Sequence, residues 1–152
     1  MPEIGKEAPV FSLLNQRGEK VELSGFKGRK VVLFAFPKAN TGGCNTQACG
    51  FSDAMPEIDA GGAVVLGIST DSPGQLAAWK AQKRLVFDLL SDPDHEVLET
   101  WGAWGEKKLY GRTCRGVIRS HWIIDEDGRL ADQRIEVGPA ESVELATAFL
   151  AR

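Results

Sequence analysis

Val31-Val32-Leu33-Phe34-Ala35-Phe36-Pro37-Lys38-Ala39-Asn40-Thr41-Gly42-Gly43-Cys44-Asn45-Thr46-Gln47-Ala48-Cys49 is the stretch from which the chain is read. The residues ahead of Pro37 are continuously apolar, the pattern of a buried strand. From Cys44 to about Ala60, the positions Ala48, Phe51, Met55 and Ile58 recur at helical spacing, so one helix face packs. Cys44 therefore falls where a strand ends, a Pro/Gly loop turns and a helix begins. The first turn of a helix has unpaired N–H groups and a partial positive charge. A thiol placed there favours its thiolate, which is the nucleophile. Thr41 precedes Cys44 by three residues and is expected to aim its hydroxyl back at the sulfur. Pro37 is expected to wall off one side of the loop and leaves no backbone donor there.

Composition narrows the classes. The 152 residues are 43% apolar and 26% charged, as in an ordinary globular protein of one domain, 1–152. Eighteen basic residues against 21 acidic ones give a net charge of −3 with no basic stripe. Neither nucleic acid nor a membrane surface is expected as a partner. No apolar run approaches the roughly 20 residues needed to span a bilayer. Met1-Pro2-Glu3-Ile4-Gly5-Lys6 has neither a basic nor an apolar leader region, so a cytoplasmic location is expected. Three cysteines, an odd number, do not form a structural disulfide framework.

The remaining elements follow in order. Pro9–Leu13 and Lys20–Leu23 flank Asn15-Gln16-Arg17-Gly18, which predicts a β-hairpin. Pro56 is expected to kink or shorten the helix after Cys44, and Gly61-Gly62 end it. Ala63–Ser69 reads as a second buried parallel strand. Ser72-Pro73-Gly74-Gln75 combines an N-cap serine, a first-turn proline and a capping glutamine, so a helix runs from there to about Arg84. Val86–Leu90 reads as a short strand, and Asp92 to about Trp101 as a helix. Gly102–Gly116 reads as a loop-rich excursion bearing Lys107, Lys108, Arg112 and Arg115. Val117–Ile124 and Leu130–Val137 are strands joined by the turn Asp125-Glu126-Asp127-Gly128. Pro139–Leu150 closes the chain as a helix. A βαβ half followed by a ββα half is the thioredoxin-fold pattern: an α/β mixed central sheet flanked by helices, here with an N-terminal β-hairpin extension.

Pro37, three intervening residues, Thr41, two more and Cys44 resemble the active-site loop of the peroxiredoxins. Cys49, five positions further on, makes the chain similar to the PrxQ group, also called bacterioferritin comigratory proteins. That group often has Thr-Pro-Gly-Cys where this chain has Thr41-Gly42-Gly43-Cys44. Gly42 lacks a proline's fixed φ and loosens the loop. The similarity covers nearly the whole chain and implies the thioredoxin fold. It also implies a thiol-dependent peroxidase that needs no metal, haem or other cofactor. Hydrogen peroxide and organic hydroperoxides are the implied substrates, thioredoxin or a similar dithiol the implied reductant, and a monomer the implied state.

By the same resemblance Cys44 is the peroxidatic cysteine, oxidised to a sulfenic acid, and Cys49 is the resolving cysteine. Arg119, in Val117-Ile118-Arg119-Ser120-His121-Trp122-Ile123-Ile124-Asp125, matches the arginine that hydrogen-bonds the sulfur and the peroxide. A fixed cation beside a thiol favours the thiolate. Arg112 and Arg115 compete for that role. Positions five apart in an α-helix are roughly 7.5 Å apart along the axis and point about 140° apart, whereas a disulfide needs Cα atoms within about 7 Å. A Cys44–Cys49 bond therefore requires the helix start to unwind, and Asn45, Thr46 and Gly50 suit a fraying segment. Cys49 as a core residue remains the alternative.

Other residues stay open. Cys114, between Arg112 and Arg115, is either a second resolving thiol or an incidental surface one. His121 lies two positions beyond Arg119 and should share its strand face. It is read either as tuning proton transfer or as a satisfied polar residue at a sheet end. His95 is expected at the surface. Trp79, Trp101, Trp104 and Trp122 are apolar mass, with Trp101 and Trp104 on one helix face. A redox-sensing or disulfide-exchange module, and a one-cysteine peroxidase with a structural Cys49, are the competing functions. The histidines and cysteines make a poor zinc set.

Overall fold

The structure, a computed structural model, describes every residue except Tyr110, and at Leu109 the backbone alone. The chain runs β1 (Ser12–Asn15), β2 (Lys20–Glu22), a 3-10 turn (Leu23–Phe26), β3 (Lys30–Ala35), α1 (Gly42–Ala60), β4 (Ala63–Ser69) and α2 (Pro73–Lys83). It continues β5 (Asp88–Ser91), α3 (Glu96–Thr100), β6 (Trp104–Leu109), β7 (Arg112–Val117), β8 (Ser120–Ile124), β9 (Leu130–Ile135) and α4 (Pro139–Leu150).

Seven strands form one sheet in the order β2-β1-β5-β4-β3-β8-β9. β3, β4 and β5 are parallel; β8 runs antiparallel to β3, and β9 antiparallel to β8. This is the mixed sheet expected for a thioredoxin fold, and the β1–β2 hairpin extends it through β5. Alternation along β3 divides the core. Val31, Leu33 and Ala35 join one cluster with Trp101 and Trp122. Val32, Phe34 and Phe36 join the other, with Cys44, Phe51 and Trp79. The second cluster lies under α1, α2 and α4, so burial of β3 on both faces sets the depth of Cys44.

Several expectations are corrected. α1 starts at Gly42 and passes through Pro56 without a break. A proline removes one ladder bond, but Phe51 and Ile58 on either side of it are buried in the core, and tertiary packing of this face outweighs that loss. Gly102–Gly116 is no loop: β6 and β7 pair from Trp104↔Val117 to Leu109↔Arg112 as a separate two-stranded arm. Its residues from Arg112 to Arg115 are exposed, so no apolar alternation marks the strands. Val117–Ile124 is not one strand either. β7 ends at Val117 and β8 begins at Ser120, because the two pair with different partners: β7 with β6, and β8 with β3 and β9.

α3 is short, and Trp104 belongs to β6 rather than to a helix face shared with Trp101. The Trp104 ring stacks on His95, centroids 3.9 Å apart, which leaves His95 half-buried instead of a surface residue. The capping box of α2 forms as read: Ser72 Oγ accepts from the Gln75 amide and Gln75 Oε1 from the Ser72 amide. Among the described residues, no helix is long and apolar enough to cross a membrane.

Candidate active site

Cys44 lies in the first turn of α1 and is fully buried. Asn45 is the first residue of the helix whose amide bonds back, to Thr41 O at 2.8 Å. The amides of Gly42, Gly43 and Cys44 precede the first intrahelical bond and point out of the helix end. The loop leading there is tied to the sheet. Buried Asp71 accepts from the Ala39 amide and from the Ser69 hydroxyl, both at 2.8 Å. Asn40 has a left-handed φ of 62°, a conformation asparagine tolerates, and this turns the chain into the helix.

Thr41 is the N-cap residue, but its side chain makes no capping bond. Its exposed hydroxyl donates to Lys38 O at 2.9 Å. That bond closes the turn ahead of the helix. Pro37 is half-buried between the end of β3 and this turn.

Arg119 comes to the sulfur from the break between β7 and β8. Nη1 and Nη2 each lie 3.6 Å from Cys44 Sγ. Nη1 also donates to Gln47 Oε1 at 2.8 Å. The Val137 amide bonds to Arg119 O at 2.9 Å, anchoring the backbone beside β9. Arg112 and Arg115, the competing cations, lie exposed on the β7 arm.

The cysteines are all free thiols. Cys49 is half-buried against the cluster that contains Cys44, within an unbroken α1. Cys114 is exposed on the arm, opposite Lys107 in the β6–β7 register. Trp79 is buried, packs on Phe36 with ring centroids 4.9 Å apart, and donates its Nε1 hydrogen to Asn45 Oδ1 at 2.7 Å. The residue that follows the buried thiol is thereby fastened to α2.

Gln47, Ser142 and Asp71 were missed in the sequence. Gln47 sits at i+3 from Cys44 on a face otherwise filled by Ala48 and Phe51. A polar side chain on a buried stripe was the available signal. Gln47 Nε2 donates to Ser142 Oγ at 3.0 Å, and Ser142 Oγ lies 2.7 Å from His121 Nδ1. His121 is fully buried in β8. Burial pushes its imidazole down to about 4, Arg134 adds to that effect, and Asp132 opposes it.

Comparison with known proteins identifies the family. A model described as the AhpC/TSA family matches residues 4–133. The chain is 52% identical to "Putative peroxiredoxin bcp" of Haemophilus influenzae over 127 residues, 84% of this chain and 82% of the relative. It is 48% identical to "Peroxiredoxin Bcp" of Escherichia coli K12 over 126 residues, 83% of this chain and 81% of the relative. It superposes on the bacterioferritin comigratory protein of Xanthomonas campestris with a TM-score of 0.87 and 28% identity, covering 93% of this chain and 90% of that one. On this match, on relatives of such identity and on the shared thioredoxin-type sheet, the chain belongs to the AhpC/TSA family and, within it, to the Bcp/PrxQ peroxiredoxins.

Proposed function

We propose that this peroxiredoxin reduces hydrogen peroxide and organic hydroperoxides through Cys44. The observation that carries the reading is the contact of both Arg119 terminal nitrogens with Cys44 Sγ, at 3.6 Å each. A guanidinium there offers donors to an incoming peroxide and to the charge that develops on its leaving oxygen. The amides of Gly42 to Cys44 supply further donors at the helix end. The Xanthomonas campestris relative has alkyl peroxide reduction activity, which supports the same substrate class here.

In the proposed reaction the Cys44 thiolate attacks one peroxide oxygen. An S–O bond forms, the O–O bond breaks, and the alkoxide or hydroxide leaves, taking up a proton as alcohol or water. Cys44 is left as a sulfenic acid. The Cys49 thiol then attacks that sulfur, releasing water and forming the Cys44–Cys49 disulfide. Thioredoxin or another dithiol returns both residues to thiols by exchange. Pro37 and Thr41 shape the loop, with the Thr41 hydroxyl free to turn from Lys38 O toward bound peroxide. We read the protein as one cytoplasmic monomeric domain whose partners are hydroperoxide and a dithiol, not nucleic acid or membrane.

A one-cysteine mechanism is the second reading, because Cys49 is half-buried in an intact helix that must open first. One equivalent of hydrogen peroxide added to reduced protein, followed by peptide mass spectrometry, decides between them. A Cys44–Cys49 linked peptide, absent from Cys49→Ser, is the expected result. A lasting sulfenic acid at Cys44 selects the one-cysteine route. A Cys44–Cys114 link moves the resolving role to the arm. No change at Cys44 overturns the peroxidase reading and returns the chain to a binding module of this fold.

A further inference from the structure

Three polar side chains run inward from Arg119, and all are fully buried: Gln47 in α1, Ser142 in α4 and His121 in β8. A polar group without a partner is costly at such positions. Their contacts form one line: Arg119 Nη1 to Gln47 Oε1 at 2.8 Å, Gln47 Nε2 to Ser142 Oγ at 3.0 Å, and Ser142 Oγ to His121 Nδ1 at 2.7 Å.

The line has a direction, and the arginine end sets it. A guanidinium only donates, so Gln47 must present its oxygen to Arg119. Its NH2 group then faces Ser142, whose oxygen accepts. In the tautomer protonated at Nε2, the Ser142 hydroxyl donates to His121 Nδ1, and the buried Nε2 has no partner among the described residues. An unprotonated Nδ1 thus orders Ser142, Ser142 orders the Gln47 amide, and the amide fixes one terminal nitrogen of Arg119. That same Nη1 lies 3.6 Å from Cys44 Sγ.

We propose that His121 and Ser142 are positioning residues which, acting through Gln47, hold the Arg119 guanidinium against the Cys44 sulfur. The inference rests on the reading of Cys44 and Arg119 as peroxide-reducing groups. It extends that reading to two buried residues from β8 and α4 that touch neither sulfur nor substrate. Without the imidazole, the Ser142 hydroxyl turns elsewhere, the amide of Gln47 is free to flip, and its NH2 group would then repel the guanidinium.

The test is a double-mutant cycle in a Cys49→Ser, Cys114→Ser background, where Cys44 is the sole thiol. Ser142→Ala, His121→Leu and His121→Asn are each made with Arg119 intact and with Arg119→Met. Two quantities are read: the ultraviolet thiolate absorbance at neutral pH, and the single-turnover rate of Cys44 oxidation by hydrogen peroxide.

With Arg119 present, Ser142→Ala and His121→Leu lower the thiolate absorbance and slow oxidation by about tenfold or more, the scale of a small misplacement of a reacting partner. His121→Asn keeps a polar acceptor near the Nδ1 position and stays within about threefold. With Arg119→Met, Ser142→Ala and His121→Leu change either readout by less than about twofold, because the path to the sulfur is already cut. Equal losses in both backgrounds would mean a structural role alone and overturn the proposal. Unchanged absorbance and rate in variants whose circular dichroism and melting show a native fold would overturn it too. If the parent protein does not react with peroxide, the peroxidase reading fails, and the absorbance cycle still decides the positioning.

Discussion

A Cβ placed on Gly43 would lie 2.7 Å from Nη2 of Arg119 and 3.4 Å from its Cζ. The guanidinium occupies the volume that a side chain immediately before Cys44 would need. The missing side chain is what lets a cation from the other half of the chain reach the sulfur. Pro139 Cγ, 3.7 Å from the same point, adds a wall from the start of α4.

Gly43→Ala should therefore disturb chemistry more than folding. Gly43 is the second residue of α1, and what stands in the way is the end of a flexible side chain, so the melting temperature is expected to change little. The guanidinium is displaced, and single-turnover oxidation by hydrogen peroxide should slow by about tenfold or more. Rate and melting curve measured on the same preparation check both halves.

Gly42 stands in contrast. Among the described residues, nothing lies within 4 Å of a Cβ built there. It occupies the first position of α1, and Thr41 before it is extended, with φ −103° and ψ 160°. These are the conditions under which proline is tolerated at a helix start. Gly42→Pro is expected to stabilise the fold by about 0.4–1 kcal/mol through the unfolded chain. A stiffer helix start should also resist unwinding and slow Cys44–Cys49 disulfide formation. Urea unfolding and quenched mass spectrometry measure the two effects.

Disulfide formation has to break what fastens the start of α1: Trp79 to Asn45 at 2.7 Å, and Gln47 to both Arg119 and Ser142. Amide-exchange protection from Cys44 to Phe51 should fall on oxidation, with a change in tryptophan fluorescence that Trp79→Phe abolishes. Unaltered protection would contradict the unwinding. Asn45→Ala leaves the buried indole N–H without its partner, at a cost of about 1–3 kcal/mol to the folded helix start. It should accelerate disulfide formation after peroxide addition.

His121 gives the stability a pH dependence of definite sign. Burial lowers its imidazole from 6.5 to about 4, with Arg134 of β9 adding to the shift and Asp132 of β9 opposing it. Ser142 of α4, which faces Nδ1, carries no charge. The native state thus prefers neutral histidine, while the unfolded chain takes up the proton first. The contribution is complete above about pH 6.5, declines as pH falls toward about 4, and totals about 3 kcal/mol. Urea unfolding across this range should show wild type losing more stability than His121→Asn, so that the two draw together in acid.

The order of elements could be followed along the chain wherever local chemistry spoke clearly. The Ser72-Pro73-Gly74-Gln75 start of α2 is a local signal, since cap and capped amide lie within one turn. The apolar run of β3 and the Asp125-to-Gly128 turn are local in the same sense. The β6–β7 arm was not legible, because exposed strands held by their own backbone ladder need no alternation of apolar residues. The break between β7 and β8 was hidden for a similar reason. It is made where the chain leaves its pairing with β6 and takes up pairing with β3 and β9, a change of backbone partner that side-chain pattern does not record.

The sequence by itself determined that Cys44 begins a helix behind a Pro/Gly loop, that Cys49 lies a turn and a half further on, and that Arg119 belongs to the second half of the fold. Each follows from neighbours in the chain. Only the tertiary structure decided that Arg119 rather than Arg112 or Arg115 meets the sulfur, that the Thr41 hydroxyl rests on Lys38, and that Gln47, Ser142 and His121 form one buried line. Hydrogen bonds between side chains on α1, α4 and β8 depend on how those elements pack, and the packing is fixed by the whole core rather than by any one stretch.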